Sequence, residues 1–341
     1  MKPSLSKSTR YQSGLTLVEL MVAIGIGSFL MIGAIQIYNQ SREAFVVNES
    51  IARVQETAQF AMDTIEADLR MASNWGRNSR ALTVEGRSLS NTDADPTNLS
   101  PPADCGTLWV LDLALPIDGA NNSYNLACLP TADAGAWQPN SDIVTIRRAS
   151  VSPVIPANGR LQIQSTRIQG ELFYNGIIPG SFAPPADPTG PAAATDPSAT
   201  HNLIVNSYYV AQSSELIPGV PTLRRKSLTV RAGASVIIDE EVAPGVENIQ
   251  LQLGVDMNGD NMVDRYVNAG DGIYNVSAVG YSPGARVITA RLWMIVRGLT
   301  PELGIQDTNT YSPGDVNLGT LSDGFRRKMV SKTILLRNAR T

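Results

Sequence analysis

The sequence predicts an α+β protein in which one long N-terminal helix, membrane-like in its first half and amphipathic in its second, packs on a large antiparallel β-rich head. Three observations carry that reading. Residues 15–37 are apolar apart from Thr16, Glu19, Ser28 and Gln36. Val47, Ile51, Val54, Ala58, Ala61, Ile65, Leu69 and Ala72 then recur at steps of three and four, which lines one face of a helix. From about residue 77, short alternating segments are separated by turn residues, the pattern of half-buried strands.

Residues 1–14 form a basic leader with Lys2, Lys7 and Arg10 and no acid. Positive flanks stay cytoplasmic, so the N-terminus is expected inside and the remainder exported across the inner membrane. Residues 15–37 are the expected spanning segment, since a membrane helix needs about 20 apolar residues and a secretory signal core about 7 to 15. No small-x-small cleavage site follows the run, which argues against a removed signal peptide. Glu19 is the exception within it. A carboxylate in hydrocarbon costs on the order of several kcal/mol, so an acid at this depth points to function. Gly25, Gly27 and Gly33 suit either close helix packing or a stretch that can loosen, at about 1 kcal/mol each against Ala.

Residues 38–75 continue the helix as its amphipathic half. Glu49 with Arg53 and Glu66 with Arg70 are acid-before-base pairs four apart, expected on the solvent side. Asn74 and Gly76 mark the expected stop, because Gly favours the left-handed C-terminal position. Residues 76–341 form the exported head. Strands are expected at 108–113, 143–147, 161–163, 203–210, 249–253, 288–296 and 333–336, with one sheet face resting on the helix stripe. Residues 91–104 and the Pro/Ala/Gly-rich tract 179–199 read as surface loops, and the second could divide the head into two lobes.

Behind the basic leader, Gly14, Leu15, Thr16, Leu17, Glu19 and Leu20 resemble the class III leader of type IV prepilins. The resemblance implies cleavage between Gly14 and Leu15 by the prepilin peptidase and methylation of the new α-amino group. Phe usually stands where this chain has Leu15. In a filament with a membrane-like core, Glu19 would pair with the amine at Leu15 of a neighbouring subunit. An ion pair in low dielectric offsets desolvation only when both partners are present, so an unpaired Glu19 would favour docking onto another subunit. The helix macrodipole adds roughly 0.3 to 1 kcal/mol for a carboxylate near its N-terminus.

Removal of the three leader cations takes the formal charge from −4 to −7. That excludes a strongly basic nucleic-acid footprint, and no nucleic-acid partner is expected. Arg224, Arg225 and Lys226, like Arg326, Arg327 and Lys328, read as solvated strand ends. Cys105 and Cys128, the two cysteines, are expected to form one disulfide in an exported domain. It would close a loop holding Asp118, Gly119 and Asn121 and stabilise the fold by roughly 3 kcal/mol.

Asp256, Asn258, Asp260 and Asp264 supply side-chain oxygens, the first three at alternating positions and the fourth after four residues, with the carbonyl of Met262 between. This resembles the first part of an EF-hand-like loop and points to calcium as a cofactor. Asn261 stands where that motif wants Gly and Val267 where it wants the bidentate Glu; Asp271 could supply the missing ligand. Asn258-Gly259 is equally a hairpin turn between 249–255 and the segment near Tyr266, and both readings can hold. Catalysis is not expected. His201 is the single histidine, and the sequence has no nucleophile elbow, Gly-rich phosphate loop or His-Cys zinc spacing, so it reads as an ordinary strand-start residue.

Tyr208-Tyr209-Val210-Ala211, Leu223-Arg224-Arg225, the stretch 251–264, the stretch 290–297, Arg326-Arg327 and the ending 333–338 resemble the PilW family of minor pilins. The family's Cys cluster soon after the long helix is missing from Ala72-Ser73-Asn74-Trp75-Gly76. The resemblance implies a pilin-like fold and a non-enzymatic role in a complex that primes or caps a type IV pilus. Other minor pilins, the major pilin and a pilus tip adhesin would be partners, with adhesion and twitching motility downstream. The alternatives are a minor pseudopilin of a type II secretion system, and a membrane-anchored calcium- or carbohydrate-binding module.

Overall fold

The computed structural model describes residues 14, 16–88, 99, 101–102, 104–106, 108–131, 134–180, 198–302 and 304–340. Leu15, leader residues 1–13 and the greater part of both expected loops, 91–104 and 179–199, lie outside the described residues.

Helix α1 spans Leu17–Met71. The chain forms two compact units that divide within it, residues 1–52 and 53–341. In the first unit the apolar side chains face outward: Leu17, Phe29 and Ile37 are 74%, 78% and 67% exposed. The most apolar window of α1 has a mean hydropathy of 2.2 and none of it is buried, long and apolar enough to cross a membrane. A helix apolar on every side belongs among lipid or other helices.

In the second unit α1 is amphipathic as the periodicity predicts. Val54, Ala58, Ala61, Met62, Ile65 and Leu69 are buried. The helix stops at Met71, ahead of Asn74, because Ser73 already takes the left-handed conformation with φ 63°. Gly76 (φ 89°) is required for a second reason: a Cβ there would lie 2.5 Å from the His201 ring and 2.6 Å from Ser165 Oγ.

Eight strands form the first sheet: β1 (Val84–Glu85), β2 (Ile117–Ala120), β3 (Ile143–Ala149), β4 (Asn158–Ser165), β5 (Gly170–Asn175), β6 (Ala199–Ala211), β7 (Thr222–Arg231) and β8 (Ala234–Pro244). The order is β1-β5-β4-β6-β3-β2, with β7 paired to both β6 and β8. β9 (Val246–Asp256), β10 (Arg265–Asn268) and β11 (Arg286–Arg297) follow. β12 (Thr310–Tyr311) and β13 (Gly319–Thr320) pair with each other, and β14 (Arg327–Leu335) completes a second sheet of order β10-β9-β11-β14. The named pairings are antiparallel except the two-residue contact of β1 with β5.

Both sheets share one core with the helix. Ile146, Tyr208 and Leu223 of the first sheet and Ile249, Leu251, Leu292, Met294 and Ile334 of the second pack on the α1 stripe. The strands after residue 198 return to these sheets within one compact unit, so the head is not divided into two lobes.

One expected strand is absent. Within 108–113, residues Trp109–Leu111 form a 3-10 turn, with Leu111 N–H bonded to the Leu108 carbonyl at 3.0 Å. Arg147, buried in β3, holds the turn by donating to the carbonyls of Trp109 and Leu115 at 2.9 and 2.6 Å. Those carbonyls are thereby taken by a side chain instead of a neighbouring strand.

Candidate assembly site and its anchoring in the head

Thr16 stands immediately before α1, and Glu19 is the third helical residue. Glu19 Oε2 accepts hydrogen bonds from the Thr16 backbone N–H and hydroxyl, both at 2.9 Å, while Glu19 N–H donates to Thr16 Oγ1 at 3.3 Å. This is a reciprocal capping box, which satisfies two of the helix N-terminal donors. The acid expected to be bare in hydrocarbon is therefore hydrogen-bonded within its own chain. Gly14, on the leader side, is exposed, with open space where a Cβ would lie.

The other end of α1 is fixed to the sheets by polar contacts. Asp68 is buried, and its Oδ2 accepts from Tyr208 Oη and Asn206 Nδ2 at 2.6 Å each; its Oδ1 takes Arg148 Nη2 at 2.8 Å. Glu66 pairs with Arg70 as the spacing predicts, but it is buried and not on the solvent side, because it also pairs with Lys332 of β14. The Lys332 hydrogen bond holds the Glu66 carboxyl below the usual carboxylate range. Asn338 Nδ2 caps the helix by donating to the Ala72 carbonyl at 3.2 Å.

The Asp256 loop joins β9 to β10 as the hairpin reading predicts, with Arg265 opposite Val255. Asp256 is fully buried. Its Oδ1 accepts from Asn258 and Gly259 N–H at 3.2 and 2.7 Å, and its Oδ2 from Asn261 N–H and Arg286 Nη2 at 3.0 and 2.9 Å. Burial alone would raise this carboxyl, yet those N–H groups and Arg286 hold it below its ordinary value. Asp260 Oδ1 accepts from Met262 N–H and Asp264 Oδ2 from Met257 N–H, at 2.8 and 2.6 Å. Asn261 adopts φ 65°, which explains how the loop dispenses with Gly there. Asp271 is elsewhere engaged, capping the 3-10 turn Gly272–Tyr274 through Ile273 N–H at 2.8 Å. The loop thus gathers the expected residues and spends their oxygens on backbone donors and one guanidinium. Among the described residues no three Asp, Glu, His or Cys side chains converge as a metal shell.

Comparison with known proteins adds two matches within the chain. A family model described as Prokaryotic N-terminal methylation motif matches residues 9–35. A second, described as Type IV Pilus-assembly protein W, matches residues 207–338. Residues 207–338 are thus similar to the PilW family, and residues 9–35 to the N-terminal methylation motif. No curated protein matches it. Among solved structures it is similar to the type IV-like pilin TTHA1219 from Thermus thermophilus, at 13% identity over 62% of this chain and 83% of that chain, with a TM-score of 0.28.

The PilW region runs from the second half of β6 to the last residues, and several of its charged positions are interior ones. Arg224 is fully buried; it pairs with Asp239 and Glu215 at 2.8 Å, and Lys226 reaches Asp239 at 2.9 Å. These are not solvated strand ends, because β7 lies between β6 and β8 and Asp239 stands across the β7–β8 ladder. Arg327 is buried likewise, held by Glu247, Asp323 and Asp307 at 2.6, 2.5 and 3.3 Å, while Arg326 pairs with Glu302 at 3.1 Å. The Cys105–Cys128 disulfide is present, and β2 lies inside the loop it closes. Lys226 Nζ donates to the Leu129 carbonyl at 2.8 Å, and Tyr124 Oη to that of Cys128 at 2.5 Å, which ties this loop to β7. His201 is the third residue of β6, buried, with Nδ1 2.8 Å from the Ser150 carbonyl.

Proposed function

We propose that this protein is a minor pilin of the PilW family that helps initiate or cap type IV pilus assembly within a complex of minor pilins. The observation that carries the reading is Glu19, capped by Thr16 at the start of an exposed apolar helix, inside a match to the N-terminal methylation motif. Before assembly the chain is held in the inner membrane by that helix and processed by the prepilin peptidase between Gly14 and Leu15. On entering a filament, Glu19 exchanges the neutral donors of Thr16 for the α-amine of a neighbouring subunit. The charged pair is the stronger interaction in low dielectric. The bulk of the head fits the pilus tip, where no subunit above confines it, and makes a tip adhesin, other minor pilins and the major pilin its partners in adhesion and twitching motility.

Deletion and complementation test this. Deleting the gene removes surface pili and twitching and leaves exoprotein release intact; Glu19→Ala, though made, inserted and processed, does not restore pili. Loss of exoprotein release with pili unaffected overturns the reading in favour of a secretion pseudopilin. Calcium at the Asp256 loop is a separate proposal, supported by the oxygen spacing alone, and Arg286 is the group it would displace from Asp256. A calcium titration whose effect on the melting temperature is the same in Asp264→Asn as in the unaltered protein removes it.

A further inference from the structure

A second polar cluster, outside the Asp256 loop, joins the two sheets. Asp142, fully buried just before β3, accepts from Asn122 N–H on Oδ1 at 2.9 Å and from Leu251 N–H on Oδ2 at 2.7 Å. Asp315, exposed between β12 and β13, receives Nδ2 of Asn121, Asn122 and Asn268 at 2.9, 3.4 and 2.8 Å, all on Oδ2. Asn122 therefore touches both carboxylates, one through its backbone and the other through its side chain.

Gln250 lies behind them and is 1% exposed. Its Nε2 donates to Asn122 Oδ1, Asn140 O and Asn248 Oδ1 at 3.3, 2.9 and 3.2 Å. These acceptors fix the orientation of that amide, and Gly314, the neighbour of Asp315, packs over the side chain: a Cβ there would lie 3.0, 3.5 and 3.6 Å from Gln250 Cβ, Cγ and Oε1. Neither this buried oxygen nor the buried Oδ1 of Asn121 receives a hydrogen bond. Neither Asp142 nor Asp315 makes an ion pair among the described residues, whereas Asp256 has Arg286.

An orphaned buried oxygen costs about 1–3 kcal/mol, and neighbouring carboxylates without a cation repel. One cation answers both faults. We propose that Asp142, Asp315, Asn121 and Gln250 form a binding site for a hard divalent cation of the calcium class, reached from solvent at Asp315. Carboxylate and amide oxygens with no nitrogen or sulfur donor select calcium-like over transition metals, and water completes a shell of about six to eight oxygens. The bound ion would clamp the β12–β13 loop to the β2–β3 connection and to β9.

Titration of the chelator-stripped full-length protein in detergent with calcium chloride, read by calorimetry, tests this. The expected result is saturable binding that survives Asp264→Asn and weakens about tenfold or more, close to 1.4 kcal/mol, in Asp315→Asn and in Asp142→Asn. Asp315 is exposed, so Asp315→Asn keeps the fold, which melting without calcium verifies. Absence of saturable binding in the unaltered protein overturns the proposal. So does binding lost in Asp264→Asn, or binding retained in Asp315→Asn.

Discussion

The Tyr208 hydroxyl of β6 lies 2.6 Å from Asp68 Oδ2, joining the buried face of α1 to the centre of the first sheet. A hydrogen bond to a buried charge contributes about 1.5–3 kcal/mol. Tyr208→Phe is therefore expected to lower unfolding stability by that amount, since Asn206 and Arg148 still hold Asp68. Asp68→Ala should cost more, because it strands the Arg148 guanidinium and the Tyr208 hydroxyl together. Denaturant unfolding of the two variants checks the order, and equal losses would contradict it.

Arg327 is the hub of a second anchor, binding β14 to Glu247 at the start of β9 and to Asp307 and Asp323 between the strands. Removing one side of a buried ion cluster leaves uncompensated charge, and costs about 3–5 kcal/mol where the pair is fully desolvated. Arg327→Met should approach that figure in chemical denaturation. Arg326→Met, whose partner Glu302 is less enclosed, should cost no more than about 1 kcal/mol.

The same anchor sets the acid limit of the fold. The Arg327 hydrogen bond lowers the Asp323 carboxyl below its ordinary value. Burial by itself would raise Asp307, but Asn309 N–H, Tyr311 and Arg327 hold it lower as well. Carboxyls depressed in the folded state bind fewer protons than in the unfolded chain, so their stabilisation is complete above the ordinary carboxylate range near pH 4 and is lost as pH falls through the folded values. Melting temperature should fall steeply below about pH 4, and Arg327→Met should flatten that limb. A parallel decline in both proteins would place the acid sensitivity elsewhere.

Reduction probes the disulfide. The bridge spans a sequence separation of 23 residues, for which loop entropy gives about 3 kcal/mol. Cys105→Ser with Cys128→Ser should lose that much, measured against the oxidised protein in denaturant. Because Lys226 holds the Leu129 carbonyl beside Asp239, the double variant should also loosen the buried ions of β7 and β8, visible as faster amide exchange in those strands.

How much of this was legible depended on the range of the interaction. The α1 stripe was, because Ala58, Ala61, Ile65 and Leu69 report burial through spacing alone. Residues 108–113 misled for the same reason: Val110, Leu111 and Leu113 are buried, but apolarity signals burial without saying strand or turn. β7 and β8 carry so many charges that hydropathy hides them. A signal was present, since Arg224, Arg225 and Lys226 mirror Glu241, Glu240 and Asp239 about the turn at Ala232 and Gly233. Asp68 had none, because its partners Arg148, Asn206 and Tyr208 lie 80, 138 and 140 residues away. The Asp142–Asp315 cluster was invisible likewise, assembled from the β2–β3 connection, the β12–β13 connection and β9.

Thr16 separates the two uses of Glu19. If the acid served only to cap α1, Thr16→Val and Glu19→Ala would be equivalent, since each breaks the capping box, at about 0.5–2 kcal/mol of helix-end stability. If Glu19 must also meet an amine on a neighbour, the variants diverge. Thr16→Val removes the hydroxyl donor and leaves the charge, freeing the carboxylate for the intersubunit pair, so pilus incorporation should persist at a modest loss. Glu19→Gln keeps a hydrogen-bonding group at the cap and abolishes the charge, so incorporation should fail despite an intact helix end. Quantifying each variant in sheared pili against its level in the inner membrane reads the difference directly. Equal incorporation of Thr16→Val and Glu19→Gln would reduce Glu19 to a helix cap.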